Sequence, residues 1–179
     1  MANLVYINEA TPIVWADTTD YAGSGGTRTD QIDLTSLGSG AARQGAKKDL
    51  GDPRSTQYAV TLRVEFDVAP TSQEVVSLWW APSLSGTAAT ANPGGVSGSD
   101  AAYTGTAGDS LDDSIQQLDL IGSLVCTADA ATTVQQQTWM YSPPTRYGSP
   151  VVYNEADQAF EGDAVEMSIT FTPEPFEVQ

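Results

Sequence analysis

Between Tyr58 and Val68 apolar and polar residues alternate almost without a break. Tyr58, Val60, Leu62, Val64, Phe66 and Val68 share one face, and Thr61, Arg63, Glu65 and Asp67 the other. A period of two predicts a β-strand with one face in a core and one in solvent, so Arg63 and Glu65 are expected outside. Ala164–Thr172 repeats the pattern, with Val165, Met167, Ile169 and Phe171 set against Ala164, Glu166, Ser168 and Thr170. Shorter strands read at Pro12–Thr18, Gln31–Leu34, Ala41–Leu50, Glu74–Trp80, Leu118–Thr127, Thr133–Tyr141 and Pro150–Asn154. Pro12, Pro70, Pro82, Pro143, Pro144, Pro150 and Pro173 are expected at strand boundaries, where a missing N–H breaks no ladder bond. One segment reads helical: Ser110 can cap, Asp113 stands three residues on, and Leu111, Ile115 and Leu118 follow at helical spacing. About eight or nine strands and at most one short helix predict an all-β chain, a β-sandwich or jelly roll. The domain is expected to span residues 12–179 behind an N-terminal arm, 1–11.

Two stretches carry little apolar material, about 20–40 and 81–109. A structureless loop this long is uncommon in a compact domain, and the second is read as an extended interaction loop. Trp79 and Trp80 are adjacent on a strand, so they point to opposite faces. One belongs to the core, and the other needs cover from a second sheet, a loop or a neighbouring subunit. Trp139 and Tyr141 share a face; aromatic core is the preferred reading over a sugar-binding platform.

Charge narrows the function. Only 17% of the residues are charged, against about 25% in ordinary domains. With 23 acids, 7 bases and a net charge of −16, the surface repels phosphate and anionic lipid, so neither nucleic acid nor membrane is expected as a partner. Residues 1–64 hold seven acids and six bases, whereas 65–179 hold sixteen acids and Arg146 alone. The nearly neutral first third is therefore read as the side that meets a partner. Its contact residues would be Leu4, Tyr6, Arg28, Arg43, Lys47, Lys48 and Arg54, with Asn92 and Pro93 from the second long loop. Cys126 is the single cysteine, so no intrachain disulfide is possible, and it is expected in the core. The opening Met-Ala-Asn-Leu-Val-Tyr lacks the basic start and apolar stretch of a signal peptide, and the expectation is a protein made and used without secretion.

Histidine is absent, which removes the commonest general base near neutral pH and the commonest transition-metal ligand. Neither a Ser-His-Asp arrangement nor an ordinary zinc site can be built, and the Gly-rich stretches lack the Lys-Ser/Thr ending of a phosphate loop. No cofactor is expected, and the chain is read as a non-enzyme. Paired carboxylates are the one catalytic possibility left open, because glycoside hydrolysis needs only two. Asp109, Asp112 and Asp113 are assigned to the helix start rather than to calcium.

Several segments carry a family resemblance. They are Ala42-Arg43-Gln44-Gly45-Ala46-Lys47-Lys48-Asp49-Leu50-Gly51, Trp80-Ala81-Pro82-Ser83, Asn92-Pro93-Gly94-Gly95-Val96-Ser97-Gly98 and Pro143-Pro144-Thr145-Arg146-Tyr147-Gly148-Ser149-Pro150-Val151-Val152, with the closing Phe171-Thr172-Pro173 and Glu177-Val178-Gln179. In these the chain resembles small virion proteins of tailed bacteriophages. The resemblance implies a structural role, above all a capsid decoration (cement) protein on the capsid exterior. Its partners would be the major capsid protein and copies of itself, a trimer for preference. A tail, neck or head-fibre component is the alternative within that class. A carbohydrate-binding module or carboxylate-pair glycosidase is the alternative outside it.

Overall fold

The computed structural model of the chain describes residues 11–23 and 25–174. Its strands are β1 (Ile13–Ala16), β2 (Asp30–Gln31), β3 (Ala41–Gln44), β4 (Lys48–Asp49), β5 (Tyr58–Val64), β6 (Val75–Ser83), β7 (Ala101–Tyr103), β8 (Asp119–Val125), β9 (Gln135–Tyr141), β10 (Tyr147–Asn154) and β11 (Ser168–Pro173). One short helix, α1 (Leu111–Ile115), starts at the expected cap, where Ser110 accepts from the Asp113 N–H. The strands form two sheets, β2-β1-β11-β5-β9 and β7-β3-β10-β6-β8, with β4 also paired to β10. The chain is thus an all-β sandwich.

The core between the sheets is aromatic. Trp80 of β6 packs against Trp15 of β1 at 5.9 Å and Phe171 of β11 at 5.0 Å, with Tyr58 and Tyr141 also against Phe171. Trp15 donates its indole N–H to the Ala46 carbonyl, 2.8 Å away. The Trp80 N–H has no acceptor among the described residues, an uncompensated burial tolerated for the apolar area the ring brings in. Gly148 makes room for that ring: any Cβ there would collide with the indole.

Part of each outer face is covered by the chain itself. Val14 and Ala16 are buried although they point away from the core. Tyr21, Gly25 and Gly26 fold over them and over Ser168 and Thr170. On the second sheet Ala42, Ala81, Val151 and half-buried Trp79 and Tyr153 build a smaller cluster. Val96, Tyr103, Ile115 and Leu118 close it from above. Residues 81–109, read from sequence as an extended interaction loop, therefore lie down on their own sheet and contribute β7. They are the cover that Trp79 requires.

Other expectations need correcting. Alternation along β5 stops at Val64. There the chain turns aside to bond residues 159–161, with Glu161 N–H donating to the Glu65 carbonyl and Asp67 N–H to Ala159. Glu65 and Phe66 are then both buried, and Val68 is 53% exposed rather than in the core. Arg63 and Glu166 are half-buried, not free in solvent. Val165 precedes β11 and is likewise half-buried, with Ala164 buried in its place. Pro82 and Pro150 sit inside strands instead of at boundaries. Pro82 lies past the end of β8, and Pro150 stands opposite the break between β3 and β4, so neither removes a needed ladder bond.

Gly148→Ala should destabilise the protein by about 1–3 kcal/mol, because a methyl is forced into a filled aromatic site. Gly38→Ala, where a Cβ meets nothing within 4 Å, should leave stability nearly unchanged. Denaturant unfolding followed by tryptophan fluorescence checks both.

Candidate functional site

Four of the five bases expected to face a partner act as internal staples. Gly45 N–H still donates to Pro150 of β10, but the N–H groups of Ala46 and Lys47 turn away to the Gln31 and Gly98 carbonyls, which interrupts the ladder. This turn aims the Lys47 side chain beneath the loop that follows β6. Its ammonium lies 2.9 Å from Ser83 Oγ, and 3.1, 2.8 and 2.9 Å from the carbonyls of Ser85, Thr87 and Thr90. Three protons are shared among four neutral acceptors, as when carbonyls wrap an ion. Desolvation lowers the Lys47 pKa below its ordinary value. Asn92 braces the same loop by donating to Ala88 and Val96 carbonyls at 2.6 and 2.7 Å. Pro93 accepts from the Val96 N–H, and Gln44 accepts from the Ser97 N–H at 2.7 Å.

Arg43 donates to Asp100 at 2.7 Å, with Asp33 4.0 Å away. Asp100 also accepts from the Gln31 amide and the Asp33 N–H, so one carboxylate ties β2, β3 and the approach to β7. Lys48 pairs with Asp30 at 2.7 Å. Arg54 donates to the Pro143 carbonyl at 2.9 Å. Arg146 grips Asp49 with two bonds of 2.7 Å. Arg28 is exposed and forms no ion pair among the described residues. Leu4 and Tyr6 lie outside the described residues.

Of the expected contact residues, the fold brings Lys48 and Arg54 together, in a cleft of about 290 Å³ that also has Ile13, Leu50, Asp49 and Tyr58 in its lining. Lys48 is already paired there, which leaves Arg54 as the cation that an outside carboxylate can engage. Arg43, Lys47, Asn92 and Pro93 do not line this cleft. The staple acids Asp30, Asp33, Asp49 and Asp100 carried no sequence signal, since Asp100 and Arg43 are 57 positions apart.

The remaining reactive groups are quiet. Cys126 is buried, and burial first, then Glu74 and Asp157, push its thiol up to about 11, so it stays protonated. Trp139 and Tyr141 close the gap between the sheets, Tyr141 donating to Asp119 at 3.0 Å. No group of three His, Cys, Asp or Glu is placed to hold a metal ion among the described residues. Among the described residues Glu65 is the acid whose carboxyl is held above its ordinary value. Its burial, then the neighbouring charges of Glu166, Asp163 and Glu161, raise its carboxyl above the ordinary 4.5.

That shift has a sign. The folded state holds the Glu65 proton more tightly than the unfolded chain does, so stability falls as pH rises from 4.5 through the raised value. Glu65→Gln should therefore melt above wild type at pH 7, with the gain vanishing as pH drops to 4.5 and below; thermal melts across that range check it. Lys47→Met should cost about 0.5–1.5 kcal/mol, because it removes the hydrogen bonds that gather Ser83 and the 84–91 loop. Limited proteolysis should then find new cleavage within residues 84–91.

In comparisons with known proteins, no family model matches the chain and no curated protein matches it.

Proposed function

We propose that the protein is a structural subunit of a bacteriophage virion, a decoration protein seated on the capsid exterior beside the major capsid protein. The observation that carries the reading is how its charge is laid out. Six of the seven bases are tied to acceptors of their own chain, so the surplus acids dominate the surface. Such a body keeps off packaged DNA and off anionic membranes. Both sheets also carry cover layers cut from the same chain, which suits a rigid exterior part better than a catalyst that must open. The segment resemblances to small virion proteins support the same role.

A tail, neck or head-fibre position is the second reading within this class. The glycan-binding reading would look to Trp79 and Tyr153 on the outer face of one sheet, but both pack under Val96, Tyr103 and their neighbours. Their polar atoms are already bonded to Ser77 and Asp112.

Purified protein should co-sediment with phage heads that lack it, saturate at a fixed ratio to the major capsid protein, and raise the temperature at which those heads rupture. Binding to tails but not heads moves the protein along the particle. Binding or hydrolysis of glycans without particle binding overturns the virion reading.

A further inference from the structure

Each sheet ends in one short and one long edge strand. In the first, β2 has two residues and β9 seven; in the second, β7 has three and β8 seven. The short edges are knitted together through Asp100. The long edges lie against each other, with the Trp139 indole filling the space where Gly122 of β8 has no side chain.

Edge strands usually carry devices that discourage pairing: charges, prolines, glycines or bulges. β8 has several, namely Asp119, Gly122 and a register shift opposite Leu78 and Trp79. β9 has none. Gln135-Gln136-Gln137-Thr138-Trp139-Met140-Tyr141 holds no charge, glycine or proline, and it pairs with β5 in one unbroken register. Apart from that ladder, no backbone hydrogen bond reaches residues 136–141 among the described residues. Gln136, Gln137, Thr138 and Met140 are exposed, Met140 by 53%.

We infer that β9 pairs with β9 of a second copy, antiparallel about a two-fold axis, joining two sheets into one. The occupant follows from charge. Two bodies of −16 can meet only where neither presents acids, and β9 is such a strip. A cationic strand from another protein would find no acid on β9 to recognise. Direction follows as well. Each copy presents the same edge, and across a two-fold axis one edge forms a ladder with itself only when the strands run antiparallel. The contact is isologous, so it closes at two copies. It goes beyond the virion reading and does not rest on it.

The test is sedimentation of the full chain over a concentration series, with Thr138→Lys, Met140→Lys and Thr138→Cys. Thr138 and Met140 lie on the outer face, so the core is untouched, and circular dichroism confirms folding. Wild type should dimerise reversibly, and each lysine should weaken that equilibrium at least about tenfold by placing a charge on the neutral strip. Thr138→Cys should oxidise to a covalent dimer, because the two-fold places that residue opposite its own copy and Cys126 is buried. A strict monomer, a trimer, or a dimer indifferent to both lysines overturns the pairing, whether or not the protein binds phage heads. Should one lysine variant misfold, the other and the cysteine cross-link decide.

Discussion

The structure turns on placing Trp80 between the two sheets. The indole meets Trp15 and Phe171, and its size dictates a glycine at position 148, the residue that would otherwise fill the same space. Because side chains alternate along a strand, burying Trp80 inward sends Trp79 outward. An outward tryptophan on a strand paired on both sides needs a lid, and the chain supplies one from residues 84–118. A lid poor in apolar residues cannot hold itself down by burial alone. Lys47 completes it, by gathering the carbonyls of Ser85, Thr87 and Thr90 at its start. One core aromatic thus accounts for the long loop, its anchoring lysine and the helix that caps the second cluster.

The parts legible in the sequence are those whose cause is local. Alternation located β5 and β11, the Ser110 cap located α1, and adjacency of the two tryptophans required a cover layer. What was hidden depends on partners far away along the chain. Glu65 follows the alternating rule for a solvent position, yet it is buried because its carbonyl bonds residue 161. Pro150 looks like a strand terminator and sits mid-strand, since its neighbour β3 breaks off at that point. β7 is too short and too small in its residues to announce itself; it exists because β3 offers Ala42, Arg43 and Gln44 as partners. Arg43, Lys47, Lys48 and Arg54 read as a cationic patch, because a sequence lists charges without their counter-groups.

That reassignment changes what the charge asymmetry means. The bases of the first third are spent inside the fold, on acids of both parts of the chain and on backbone carbonyls. Arg43 holds Asp100, and Asp49 receives Arg146 in return. Pairs of this kind contribute little individually when exposed. Here they matter by joining segments nearly 100 positions apart, and they leave few cations for any partner. Backbone edges and neutral side chains are then what the surface offers for attraction, with charge acting mainly to exclude wrong approaches.

Topology adds an order of events. β11 lies between β1 and β5 in the first sheet, and Phe171 within it touches Trp15, Trp80, Tyr58 and Tyr141. Neither that sheet nor the core is complete until this late strand inserts between two early ones. Pairings so distant in sequence are slow to close, because the loop entropy comes before the contact that offsets it. β9 is held on the other side of β5, away from β11, in the same completed sheet. Its outer edge becomes a flat, continuous template only when β5 is fixed on both sides. On the β9 pairing inferred above, contact between copies then follows the closing of each copy's own core rather than preceding it.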